Sequence, residues 1–402
     1  MTTPASLYRN AIDLNRYSNS VARRIINAYN DIILDSVAQL RAIEDLDDSF
    51  KAARLRSILA QLKESLDTWA GDSTGIMVPE LQGLAELQSE FVEEQLRKVL
   101  PAGSRSLVNT VEISPQFAQA VVTTDPTQIN VVALSDDLVA AVRGAPQTFS
   151  LTAAQGATVT LPNGKVVEKA FRGLAESQAE RFGQIVRQGL LTGEPTPEIA
   201  RRLKGRLEFG QPAQSVKQLQ LAGGELTKMA NHQIVTIVRT SVNQVSNAAS
   251  QQVYEANQDV TRKYRYVATL DTRTSAICRA LDGQEFEYGK GPMPPQHFNC
   301  RSTTDAVVDY KGLGLTPPKP GRRASVDGPV SANESYGEWL YDKDSETGRA
   351  RQAAVLGSKA PYFRKLSEKY GPKEAIAKFV RDDGSELTLE QLRKRYGIVK
   401  RG

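Results

Sequence analysis

The chain has 402 residues, and at about 150 residues per domain that predicts two or three domains. Hydrophobic residues at 40% and charged residues at 24% suit soluble cores, while 6% aromatics argues against a large base-stacking surface for single-stranded nucleic acid. A formal charge of +5 is mild for this length, two cysteines rule out a disulfide scaffold, and the absence of any run of ~18 apolar residues predicts no transmembrane helix and no membrane partner.

The first hundred residues predict helices. Leu14, Tyr17, Val21, Ile25, Tyr29, Ile32, Val37 and Leu40 recur in steps of mostly three or four, one apolar stripe over about Tyr8–Ile43. Asp48–Trp69 and Pro79–Leu100 continue the pattern, with Gly71-Asp72-Ser73-Thr74-Gly75 predicted to break the chain between them. Met1-Thr2-Thr3-Pro4 lacks the basic and apolar stretches of a secretory leader, so a cytoplasmic start is expected.

From 105 to 167 the pattern turns β-rich. Val108–Ile113, Gln128–Val132 and Thr158–Leu161 are short β-branched runs, and Asn163-Gly164 is a hairpin turn signal. Helix resumes after Val167. Gly193-Glu194-Pro195-Thr196-Pro197-Glu198 marks a restart with Thr196 as N-cap and Pro197 at the first helical position. Residues 224–258 predict one long buried helix, on which Arg239-Thr240 reads as a polar face or cap and His232 as a partly buried filler.

Beyond Asp259 the chain predicts a compact α+β module. Arg262–Leu270 alternates like a strand, Asp282-Gly283 is a turn, and Gly289–Pro295 is a rigid loop. Residues 312–332 read as an extended connector, followed by helices at Glu334–Asp342, Lys359–Phe379 and Leu387–Leu392. Residues 309–402 hold 19 Lys/Arg against 13 Asp/Glu. Arg393, Lys394, Arg395, Lys400 and Arg401 concentrate that excess, as a solvated end or as contacts to DNA phosphates. The fold class expected is mostly α with a small α+β module: helices over 1–104, a β-rich insertion over 105–167, a helical region over 168–258, the module over 259–311, and a connector with a helical basic tail over 312–402.

Both cysteines, Cys278 and Cys300, and one of the two histidines, His297, fall within 23 residues. A disulfide, a zinc site, a Cys/His catalytic pair and a metal-free core of reduced thiols are all compatible with that grouping. A reducing cytoplasm opposes the disulfide. Zinc would need a fourth ligand, with Asp271 the nearest candidate, and no third residue is evident to orient His297 for catalysis. No glycine-rich phosphate loop is present.

Arg239-Thr240, Tyr254, Asp271-Thr272-Arg273-Thr274, Cys278, Asp282-Gly283, Phe286 and Pro294-Pro295-Gln296-His297-Phe298-Asn299-Cys300-Arg301 together resemble the Mu F-like minor head protein module of tailed bacteriophages. The likeness covers roughly residues 235–310, with further similarity at Gly193–Leu203 and in the tail at Tyr336–Leu340, Val355–Gly357 and Leu387–Leu392. Members of that family commonly end the motif Cys-Arg-Cys, where this chain reads Cys300-Arg301-Ser302. Zinc on Cys278, His297 and Cys300 would then draw its fourth donor from Asp271, Ser302 or water, which favours a structural core over a closed zinc site.

The resemblance implies a non-enzymatic virion protein, assembled in the host cytoplasm and held inside the head near the portal. It would act in head morphogenesis, DNA packaging or genome ejection. Its expected partners are the portal protein, a scaffold or major capsid protein, and packaged double-stranded DNA. Arg239, Thr240, Asp282, Gly283, Pro294, Pro295 and Arg301 become structural motif residues. The rival reading is a metal-dependent hydrolase or nuclease using the Cys/His cluster.

Overall fold

The computed structural model describes residues 4–43, 48–115, 117, 167–210, 215–319, 321–342, 346–381 and 384–396. Helix α1 (Pro4–Arg41) follows the predicted stripe: Val21, Ile25, Tyr29, Ile33, Val37 and Leu40 are all buried. Helix α2 (Asp48–Val99) is one rod of 52 residues where two helices were predicted. Gly71 and Gly75 each weaken a helix by about 1 kcal/mol relative to alanine. Yet Trp69, Ala70, Met77 and Leu81 on the flanking turns are fully packed, and tertiary burial outweighs the local preference. The Trp69 indole N–H donates to the Ile25 carbonyl at 3.1 Å, fixing α2 against α1.

Four further helices complete a bundle: α3 (Val167–Leu191), α4 (Thr196–Lys204), α5 (Val216–Ala222) and α6 (Glu225–Ala256). Tyr29, Trp69 and Phe171, from α1, α2 and α3, meet with centroids 5.4 and 5.7 Å apart, the first pair tilted and the second edge to face. The N-cap of α4 is Pro195 rather than Thr196, so Pro197 falls one position later than expected. Gly205 after α4 has φ +64 and lies against the backbone of Ala222 and Gly224, a close approach that only glycine allows.

Residues 108–113 do not form the predicted strand. After a 3₁₀ turn at Ala102–Leu107 they run as an extended strap with no strand partner among the described residues. Side chains satisfy the backbone instead: Asn109 N–H donates to Asn257 Oδ1 and Val111 N–H to Glu93 Oε1, both at 2.7 Å. The runs Gln128–Val132 and Thr158–Leu161 and the Asn163-Gly164 hairpin lie outside the described residues.

Past α6 the chain makes the expected α+β module. Strand β1 (Thr261–Val267) is followed by helix α7 (Ala276–Leu281), β2 (Glu285–Glu287) and β3 (Thr303–Val308). The sheet is antiparallel in the order β2-β1-β3, with Tyr264 paired to Phe286 on one side and Ala306 on the other. Tyr264 and Tyr266 point inward by the strand's two-residue period. One sheet face shares a core with Val253 and Tyr254 of α6 and with Val92 and Leu96 of α2.

The predicted connector contains a hairpin, β4 (Arg322–Ser325) and β5 (Gly328–Ser331), turning at Val326-Asp327. The tail helices are α8 (Tyr336–Leu340), α9 (Glu346–Leu356), α10 (Ala360–Tyr370), α11 (Pro372–Ala377) and α12 (Leu389–Tyr396). Helix α9 was not anticipated, and the run predicted over 359–379 is divided at Gly371 (φ +81) followed by Pro372. Trp339, Leu340, Phe363, Leu366, Ile376, Phe379 and Leu392 form the tail's own core. The molecule is thus mostly α with a small α+β module, and among the described residues no helix is long and apolar enough to cross a membrane.

Candidate metal centre

Two local structures deliver the cysteines. Ser275 is the N-cap of α7, its hydroxyl accepting the Cys278 N–H at 3.4 Å, which sets Cys278 in the first turn facing β1. The second is the loop 289–302, which contains the cis Pro294–Pro295 bond and Asn299 in the left-handed region at φ 57, a conformation asparagine tolerates better than most residues. The loop is fastened to α6, where the Thr240 hydroxyl accepts Asn299 N–H at 3.1 Å and the Asn243 amide donates to Ser302 O at 2.9 Å. Those contacts bring His297 and Cys300 over α7.

The Cys278 and Cys300 sulfurs are 3.7 Å apart, and Cys278 Sγ lies 3.4 Å from His297 Nε2. The three donor atoms all fall within 4.8 Å of one another. Tetrahedral zinc, with bonds of about 2.3 Å to sulfur and about 2.0–2.1 Å to nitrogen, has edges of about 3.8 Å and about 3.5 Å. The Cys278–Cys300 and Cys278–His297 separations match those two edges. His297 Nδ1 donates to Phe298 O at 2.8 Å, which leaves Nε2 as the acceptor aimed at the sulfurs. Ser275 Oγ, 2.8 Å from the same nitrogen, is the nearest neutral oxygen.

Both thiols are buried, and the protein splits their acidity. The hydrogen bond to Cys300, then burial, push the Cys278 thiol well up. Burial works against ionisation of Cys300 too. Hydrogen bonds from the Cys278 thiol, from the Ser302 and Gln296 backbone N–H groups and from the Ser302 hydroxyl outweigh it, bringing Cys300 down to about 6. His297 is raised: burial alone would lower it, but the hydrogen bond and charge of Cys278 and the Phe298 carbonyl favour its protonated form. A divalent cation bound here would displace the protons that these groups share.

Asp271 is not part of this group. Its carboxylate takes a two-pronged bond from Arg301, at 2.6 and 2.9 Å, and hydrogen bonds from Arg273 N–H and the Thr274 hydroxyl. Burial raises Asp271, but the hydrogen bonds and charge of Arg301 prevail and hold it at about 2. The hydroxyls beside the sulfurs are those of Ser302, which bonds Cys300 and Tyr266, and of Tyr266, 3.2 Å from Cys278 Sγ.

The remaining motif residues hold the frame. Asp282, fully buried, accepts from the Ala268 and Tyr336 backbone N–H groups, each at 2.6 Å, and from Arg323 at 3.0 Å, while Gly283 turns the chain at φ +74. Thr240 is buried rather than on a polar face, Arg239 reaches Asn19 of α1 at 2.8 Å, and His232 is exposed rather than a filler. In the tail, Arg393 donates to the Tyr362 hydroxyl at 2.8 Å and Arg395 lies over the Tyr396 ring. Lys394 shares that last helix, and Lys400 and Arg401 lie outside the described residues. Sequence reading missed Ser275 and Arg323. A Ser-x-x-Cys spacing at a helix start could have found the first; nothing local marks the second.

With this geometry in view, comparison with known families gives one match: residues 180–305 fit the family described as Phage Mu protein F like protein. The matched span runs from within α3 to the middle of β3 and encloses Cys278, His297 and Cys300. No curated protein and no solved structure matches the chain.

Proposed function

Starting from a chain that carries a Mu F-like domain at residues 180–305, we propose that the protein is a minor head protein of a tailed phage. It acts in head morphogenesis inside the virion, beside the portal, and supports packaging or ejection of the genome without catalysing a reaction. The observation that carries this reading is the coincidence of the family match with the structural unit around the cysteine–histidine cluster. Cys278, His297 and Cys300 serve that unit as a structural centre, able to hold a zinc-type ion that would cross-link α7 to the loop at 289–302.

The long helices are part of the same assembly. Because α1 and α2 pack on α6, docking on a portal ring would use their outer faces, where Phe50 and Leu87 are 66% and 67% exposed. Quantitative mass spectrometry of purified, nuclease-treated particles tests the proposal. A few to tens of copies per particle are expected; absence from particles, with abundant protein in infected cells, would overturn it.

A further inference from the structure

We propose that Arg239, Arg273 and Arg301 form a binding site for the phosphodiester backbone of double-stranded DNA, and the choice of DNA rests on the head-protein reading. The three come from separate elements. Arg239 is on α6, one residue before the Thr240 that holds Asn299, and Arg301 leaves the loop two residues after that contact. Arg273 is in the turn before α7, and Asp271 joins it to Arg301, with bonds of 3.5 and 2.6 Å. Among the described residues, Asp271 is the only carboxylate that pairs with any of the three. Asp271, and beside Arg301 the charge of the Cys300 sulfur, offset part of their positive charge, while Arg239 has no carboxylate partner among the described residues.

The protein assembles these like charges at an electrostatic cost. Burial, then the charges of Arg273 and Arg301, press the Arg239 pKa below its ordinary value. Arg239 Nε is buried without a hydrogen-bond partner, while the outer end of the same guanidinium donates to Asn19 at 2.8 Å. Arg273 is 81% exposed and the Arg301 side chain 38%, so the group opens to solvent. Planar guanidiniums match phosphate oxygens two at a time, which lysines on a surface would not do. Asn19, which holds Arg239, has Arg23 one helical turn further along α1 and Arg16, paired with Asp13 at 3.7 Å, one turn before it.

The test measures binding of the full-length protein to a short labelled DNA duplex across a salt series. Arg273→Gln, an exposed change that leaves the fold intact, and Arg239→Gln should each weaken binding several-fold and reduce the log–log salt slope by about one. Replacing Arg393, Lys394 and Arg395 together by Gln should leave the slope in place. If only the tail substitution lowers the slope, or if the unmodified protein shows no salt-dependent duplex binding, the proposal fails and the head-protein reading stands. Loss of inorganic phosphate binding in Arg273→Gln with duplex binding unchanged would also overturn it, identifying a free-anion site. Absence of the protein from particles would instead refute the head-protein reading and leave a measured duplex site intact.

Discussion

Asn299 donates its backbone N–H to the hydroxyl of Thr240, 59 positions earlier in the chain, at 3.1 Å. Through that bond the long helix α6 sets the height of the loop carrying His297 and Cys300 over α7. Thr240 is fully buried, so the hydroxyl has no solvent to turn to. Replacing Thr240 by Val keeps its shape and leaves the Asn299 N–H without a partner. The expected loss is about 1–3 kcal/mol, read as a lower urea midpoint with an unchanged m-value, and an equal midpoint would show that the bond does not hold the loop.

Asp271 makes stability depend on pH at the acid end. Its carboxyl titrates at about 2 in the folded protein, against 3.8 ordinarily. A depressed carboxylate contributes stability that is present above the unfolded value and lost as pH falls through the folded one. The contribution is about 2 kcal/mol, lost between roughly pH 4 and pH 2. Urea midpoints of the natural protein should fall more steeply over that window than those of Asp271→Asn, which starts lower at neutral pH. Parallel curves would contradict the role given to Arg301.

The Asp282–Arg323 pair attaches the hairpin and the tail to the module. Asp282 has no exposed side-chain surface and Arg323 is 10% exposed. Besides Asp282, Arg323 donates to the carbonyls of Ala268 and Glu334. Arg323→Ala would leave a buried carboxylate uncompensated and should cost about 3–5 kcal/mol. Limited proteolysis should then cut the variant first near residues 322–335, whereas cleavage no faster than in the natural protein would place the attachment elsewhere.

Cobalt reports on the donor set directly. One Co(II) per chain is expected, with thiolate-to-metal absorption that disappears in Cys278→Ser and Cys300→Ser. Ser302→Cys adds a third thiolate beside Cys300 and should bind the ion at least tenfold more tightly, because borderline-soft metals favour sulfur over a neutral hydroxyl. Equal affinity in Ser302→Cys would place position 302 outside the coordination sphere.

Where local pattern and tertiary demand agreed, the elements could be read directly from the chain. Helices α1 and α6 carry a continuous apolar stripe, and β1 alternates, so their bounds came out within a few residues. The Gly71–Gly75 cluster misled because propensity is a local quantity, while α2 is held by α1 and α3 along its length. Val108–Ile113 looked like a strand because β-branched residues suit any extended backbone, and whether a neighbour exists to pair with lies outside the segment. At the site, their rarity and the family-like motif around them exposed Cys278, His297 and Cys300. The attachment of Asp271 to Arg301 rather than to the sulfurs turns on where a guanidinium thirty positions away arrives.

Helix α2 rises about 78 Å over its 52 residues and belongs to two hydrophobic interiors at once. Ile58, Leu62 and Trp69 face the bundle, and Val92 and Leu96 lie under the sheet. A single girder common to two rooms leaves no seam along which they could be parted, since removing it strips a wall from each. Heat should dissolve bundle and sheet in one step, and a single peptide cleavage midway along α2 should loosen both.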